Sequence, residues 1–249
     1  MRYGLILGDQ LSEEIATLKR LDKHEDVILM AELVEETTYV KHHPQKIALI
    51  FSAMRHFAKH LKQQGWTVRY QVFDRSKTTN NFLQFLKSQL DKQEAKGLVI
   101  TACGEYRLQY QMENSWEKEL NIPIQILIDD RFFSSIQAFK QWSSTAKVLR
   151  MEFFYRKLRQ QTGYLMQADK PIGGKWNFDS DNRQKWNGTP TISPALYFIH
   201  DQIDLDVIAL VKAEFQDHIG QIDHFNWATT RQQALHALDH FIQHQLVHF

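Results

Sequence analysis

Five short apolar runs punctuate the first half of the chain: Tyr3 to Leu7, Val27 to Ala31, Thr67 to Phe73, Leu98 to Ala102 and Ile124 to Ile128. Each is rich in Val, Ile and Leu, each is bounded by charged or glycine-containing turns, and amphipathic stretches lie between them. Continuous apolar segments of this length suit strands covered on both faces, and their alternation with helical periodicity makes repeated βα units. The expected fold is α/β: a Rossmann-like five-stranded parallel sheet with helices on both faces, followed by a mostly helical linker region.

Between the second and third runs, Ile47, Ile50, Phe51, Met54, Phe57, Ala58 and Leu61 recur at three- and four-residue spacing. Pro44 sits where a first helical turn tolerates it, and Gly65 lies beyond the end. Phe82, Phe85, Leu86 and Leu90 mark a second helix after Asn80 or Asn81 as N-cap. Ser12, followed by Glu13 and Glu14, is expected to start a third, with its acids placed well for the helix dipole.

Beyond about residue 135 the βα rhythm stops. Residues 1–135 therefore read as an α/β domain and 136–249 as helical and irregular linker, with three of the five prolines between Gln167 and Pro194. Cations gather there: from Lys140 to Lys185, ten Lys and Arg stand against four acids. Aromatic residues from Phe153 to Trp186 interleave with them, a mixture that suits a phosphate backbone with stacking platforms, or equally a domain-docking surface. The last segment, Thr229 to Phe249, is an amphipathic helix with Leu235, Leu238, Phe241, Ile242 and Leu246 on one face. Its pattern meets no stop signal, so an N-terminal piece of a longer protein is expected.

Composition narrows the functional classes. With 30 Lys and Arg against 29 Asp and Glu, the formal charge is +1, so no global field holds the protein on nucleic acid or on an anionic membrane. The longest apolar runs fall far short of the roughly 20 residues that span a bilayer, and the short start lacks a signal-peptide core. No membrane association and a cytoplasmic location are expected. The single cysteine, Cys103, excludes an internal disulfide and a four-thiolate metal site, so a bound cofactor is expected to be organic.

In a doubly wound sheet, ligands bind beyond the carboxyl ends of the strands. Those ends carry Gly8-Asp9-Gln10, then Glu32 to Tyr39, then Cys103-Gly104-Glu105-Tyr106-Arg107. Neither a glycine-rich dinucleotide pattern nor a Gly-Lys-Ser/Thr phosphate loop is present. Asp9, Glu32, Glu35, Glu36 and Glu105 form an acid rim instead, where a phosphate meets repulsion of several kcal/mol. An uncharged heterocycle with many hydrogen-bond donors suits such acceptors better. The plainer reading makes these acids water-facing helix-start residues.

Other constellations read as structural. His236, His240, His244 and His248 drift around a polar helix face, and His218-Ile219-Gly220 is far from the first strand, where an adenylate signature belongs. Cys103 reads as a rim or buried thiol, and His42-His43 before Pro44 as a polar lead-in to the helix.

Longer blocks carry a resemblance. Gly4-Leu5-Ile6-Leu7-Gly8-Asp9-Gln10-Leu11-Ser12, then Glu36-Thr37-Thr38-Tyr39-Val40 with His42-His43, and the helix from Lys46 to Phe57 resemble the bacterial cryptochrome/photolyase-related proteins that carry an iron–sulfur cluster, including bacterial (6-4) photolyases. Met151 to Arg156 and Gly173 to Arg183 agree, so the likeness spans essentially the whole chain. It implies an N-terminal light-harvesting domain holding 6,7-dimethyl-8-ribityllumazine, with Gly8, Asp9, Gln10, Glu36 and Tyr39 forming much of the pocket. Cys103, Gly104 and Glu105 are added to it from sheet topology alone. FAD, the iron–sulfur cluster and the catalytic site are implied for a C-terminal FAD domain missing from this chain, so photochemical repair is not expected to be complete here. Damaged DNA is the implied partner, with Lys175 and Arg183 as candidate contacts. A cryptochrome-type blue-light photoreceptor, or a stand-alone domain for a small heterocycle, are the alternatives.

Overall fold

The computed structural model describes every residue except 92, 181–184, 186, 187, 192 and 247–249. Five strands, β1 (Tyr3–Leu5), β2 (Val27–Ala31), β3 (Thr67–Gln71), β4 (Leu98–Thr101) and β5 (Ile124–Leu127), form one sheet in the order β3-β2-β1-β4-β5. All neighbours run parallel: Gly4 lies opposite Ile28 on one side and Val99 on the other. The α/β reading therefore holds, with strands somewhat shorter than their apolar runs. Strand order reverses between β1 and β4, where a parallel sheet opens its crevice.

Alternation along the strands separates two cores. Ile28 and Met30 of β2 face a cluster with α3 (Pro44–Gln63), whereas Val27, Leu29 and Ala31 face α4 (Phe82–Gln89), α5 (Tyr106–Asn114) and α6 (Trp116–Leu120). The central strands are buried throughout, while the edge strands β3 and β5 are partly exposed. α3 begins with Pro44 in its first turn, and the His43 ring nitrogen accepts from the Gln45 N–H at 3.1 Å, so the polar lead-in is a cap. The Asn81 side chain likewise caps α4.

Two helix starts differ from expectation. α1 spans Ala16–Arg20 and not the residues after Ser12. The Ser12 hydroxyl instead accepts from the Glu14 N–H at 3.2 Å in a local turn, which competes with helix, and buried Ile15 leads the chain into α1. α10 covers Arg231–His244, begun by a capping box between Thr230 and Gln233. None of its residues is buried: Leu235, Leu238 and Ile242 are about half exposed, so the apolar face is uncovered.

The chain after β5 passes through α7 (Ile136–Thr145), α8 (Met151–Thr162) and a short antiparallel pair, β6 (Met166–Gln167) with β7 (Lys170–Pro171). It then returns to the sheet. α9 (Gln202–Glu214) sets Val207 and Val211 against α3, followed by Phe215, and all three are buried in the same core as Ile28 and Phe51. Among the described residues, no helix is long and apolar enough to cross a membrane.

Candidate ligand pocket

A cavity of about 300 Å³ lies beyond the carboxyl ends of β1, β2 and β4, at the small end of the range that holds organic ligands. Its apolar wall comes from α3, through Ile47, Ile50, Phe51 and Met54, with Phe82 and Leu108 opposite. Its polar edge comes from Asp9, Glu36 and Glu105, with His42 and Lys46 also contributing to the lining. A larger groove of about 620 Å³ near Glu117 and Pro123 is wide open to solvent at the amino end of β5, away from the strand ends that carry this chemistry.

Gly8 permits the wall. A Cβ there would lie 2.9 Å from Ile50 Cγ2 and 3.1 Å from Met54 Sδ, so any side chain forces α3 back or fills the cavity. Asp9 follows it, exposed in the same turn. The short helix α2 (Val34–Thr38) carries Glu35 and Glu36, and half-exposed Tyr39 ends it.

One cation organises the acids. Arg107 Nη2 lies 2.9 Å from both oxygens of Glu36 and 3.4 Å from Glu105 Oε2, and Nη1 lies 3.3 Å from Glu35 Oε1. The same guanidinium stands 5.1 Å from the centre of the Tyr39 ring, a cation–π distance. Three carboxylates thus share one positive charge. Burial pushes the Glu36 carboxyl above its ordinary range; Arg107 offsets this only in part, while Glu35 and Glu105 add to it. The Arg107 Nε is buried and makes no hydrogen bond.

The expected site residues divide. Gly8, Asp9, Glu36, Tyr39, Cys103 and Glu105 line the cavity; Gln10 and Gly104 do not. The Gln10 side chain is buried, its amide donating to Thr101 O at 3.0 Å and Ala102 O at 3.3 Å, its oxygen accepting from the Leu7 N–H at 3.3 Å. It rivets β1 to β4 at the reversal point. Gly104 is exposed, with open space around it. Glu105 lines the cavity and also caps α5, accepting from the Arg107 and Leu108 N–H groups at 3.0 and 2.9 Å.

Glu32 lines the cavity as expected, but its carboxylate is not a free acceptor. Its carboxylate takes Arg55 Nε and Nη2 at 2.7 and 2.9 Å, the Tyr70 hydroxyl at 2.6 Å and the Phe73 N–H at 2.8 Å. Those four donors consume its acceptor capacity and join β2, β3 and α3. The Cys103 thiol donates to Glu105 O at 3.2 Å, and burial raises its pKa, which keeps it protonated. In the sequence Arg107 stands at the end of the segment after β4, and being the one cation in the three strand-end segments is the signal that marks it.

In the basic stretch, Lys175 is exposed, its Nζ 5.8 Å from the Phe178 ring. Arg183 lies outside the described residues. Arg159 is buried and turned inward, donating to the carbonyls of Tyr164, Leu165 and Trp176. Part of the cationic excess is therefore structural.

Comparison with known proteins adds the lineage. The family described as deoxyribodipyrimidine photo-lyase-related protein matches residues 4–227. A (6-4) photolyase of Agrobacterium fabrum is 40% identical over 245 residues, which cover 98% of this chain and 48% of that protein. The chain thus spans about half the length of this curated relative. With the matched segment running from β1 through α9 and beyond, this chain belongs to the deoxyribodipyrimidine photo-lyase-related protein family.

Proposed function

We propose that this chain is the light-harvesting α/β part of a photolyase-like protein for light-driven DNA repair, and that its cavity holds 6,7-dimethyl-8-ribityllumazine. The observation that carries the reading is the pairing of an apolar wall with an acid edge on which three carboxylates share Arg107. An uncharged ring packs on Ile47, Ile50 and Met54, and a polyol tail offers hydroxyl donors to Asp9, Glu36 and Glu105. The excess of acid disfavours a phosphate at the same edge.

The residues divide the work. Glu36 accepts hydrogen bonds from the ligand, Arg107 fixes the direction of that carboxylate, Tyr39 closes one side, and the α3 side chains keep water from the ring. When bound, the lumazine supplies absorption of light and transferable excitation. The repair chemistry, implied to rest on FAD and an iron–sulfur cluster, is assigned to polypeptide other than these residues, since one cysteine cannot supply four thiolates. Damaged DNA is the proposed substrate of the whole protein, with Lys175 in the basic stretch beside it.

The test is titration of the purified protein with 6,7-dimethyl-8-ribityllumazine, followed by the anisotropy of its fluorescence. Glu36→Gln is expected to weaken binding at least tenfold with an unchanged circular-dichroism spectrum. Equal affinity in the variant and the parent overturns the assignment of Glu36, and no binding by the parent overturns the ligand.

A further inference from the structure

A second group of polar side chains lies where α9 meets α3, apart from the residues that line the cavity. His56 of α3 brings Nε2 to 3.3 Å from Asp204 Oδ1 and 3.6 Å from Asp201 Oδ1. One donor atom from each of the three residues lies within 4.8 Å of the others. Donors bound to one zinc ion at about 2.0–2.2 Å in tetrahedral array stand about 3.4 Å apart, close to the two distances from His56 to the carboxylates.

A reciprocal capping box between Asp201 and Asp204 at the start of α9 brings the two carboxylates together, but it does not account for His56. His56 Nε2 has a single N–H to direct, and 3.3 Å is long for a bond to a carboxylate. It faces two carboxylates, one of them on a residue only 2% exposed. A second observation points the same way: the Oγ of Ser52, one turn before His56 on α3 and fully buried, has no partner at hydrogen-bond geometry, although it stands near enough to Asp204 to help lower that carboxyl's pKa.

The surroundings have the form of an outer shell. The Thr229 hydroxyl donates to Asp204 Oδ2 at 3.1 Å, which fixes the carboxylate and leaves Oδ1 toward His56. His200 stands 3.6 Å from that same Oδ2, its other nitrogen tied to Phe225 O at 2.5 Å and its ring stacked on Phe225. Partners of this kind orient metal ligands and tune their basicity. Asp201 is half exposed and offers an entrance from solvent. It also caps α9 through Oδ1, a bond that uses one lone pair of an oxygen that has two.

We propose that His56, Asp201 and Asp204 bind one divalent cation of the zinc class, with a water at the fourth position, and that the ion fastens α9 to α3. The chemistry is that of one imidazole and two carboxylates, which suits a borderline first-row ion better than a thiolate-seeking one.

The experiment is titration of the chelator-treated protein with zinc chloride, read by competition with a chromogenic chelator and by thermal melting. The parent is expected to bind one equivalent and to melt at a higher temperature as zinc rises. Asp201→Asn retains a good N-cap residue, and His56→Gln retains a polar side chain; each is expected to bind at least tenfold more weakly and to lose the zinc-dependent shift in melting. The rival is the pair His240 and His244 on α10, whose rings are 4.7 Å apart. A variant with both changed to Ala is expected to keep the equivalent. Loss of binding in that variant, equal affinity in Asp201→Asn and the parent, or no stoichiometric binding by the parent overturns the proposal.

Discussion

Both carboxylate oxygens of Glu36 lie 2.9 Å from a single nitrogen of Arg107. The bond joins two strand-end segments far apart in sequence, one after β2 and one after β4. It also offsets part of the effect of burial on Glu36. Because burial raises the Glu36 pKa, this carboxyl holds its proton in the folded state more than in the unfolded chain over the pH range just above the ordinary carboxylate value. The contribution of Glu36 to stability therefore falls as pH rises through that window.

Replacing Arg107 by Met leaves Glu35, Glu36 and Glu105 without their shared cation. The melting temperature is expected to fall by roughly 2–4 °C at pH 8, a change of about 1 kcal/mol in a chain of this size. The deficit shrinks at pH 5, where protonation relieves the repulsion. Melting curves of variant and parent at the two pH values check this; a deficit independent of pH counts against it.

Gln10→Leu removes the rivet between β1 and β4 while keeping the volume. Its partners at Leu7, Thr101 and Ala102 then lose a buried hydrogen-bond partner. A loss of about 1–3 kcal/mol is expected in urea unfolding, with no side chain of the cavity lining removed.

Gly8→Val does the reverse. The new side chain meets Ile50 and Met54 within contact distance and occupies the cavity. Stability is expected to drop by about 1–3 kcal/mol through overpacking, whereas lumazine binding, followed by fluorescence anisotropy, is expected to vanish.

Asp204 gives a pH signature of opposite sign to that of Glu36. Burial pushes its carboxyl up, but hydrogen bonds from His56 and Thr229 and the charge of His56 outweigh burial and hold it below the ordinary range. Its contribution is present above the unfolded value and is lost as pH falls through the folded one. With chelator present to exclude metal, Asp204→Asn is expected to cost about 1–3 kcal/mol at pH 7, the scale for disturbing buried hydrogen bonds to a charged group. The gap to the parent should narrow between pH 5 and pH 3 in urea unfolding curves.

The basic stretch separates into two kinds of cation. Lys175→Ala is expected to lower the slope of log binding constant against log salt for DNA by about 1. Arg159→Ala, which strips donors from three backbone carbonyls, is expected to lower the melting temperature and leave that slope unchanged.

The strands were readable because each buried run, such as Val27 to Ala31, is apolar on both faces, and α3 because its apolar spacing is long and its start bears proline. The pocket's position followed from sheet topology, which puts Gly8, Glu36 and Cys103 at neighbouring strand ends. What individual acids do there was not legible. Glu32, Glu36 and Glu105 look alike in the sequence, yet one is consumed by Arg55 and Tyr70, one faces the cavity through Arg107, and one also caps a helix. That outcome depends on which donors the fold brings near. His56 and Asp204 are separated by 148 residues, and no local pattern announces their meeting.

The return of α9 to α3 joins both ends of the chain between Leu127 and Gln202 to one body. α7, α8 and the cations among them cannot drift from the sheet as a tail would. A single proteolytic nick in that stretch is expected to leave two fragments that still co-purify.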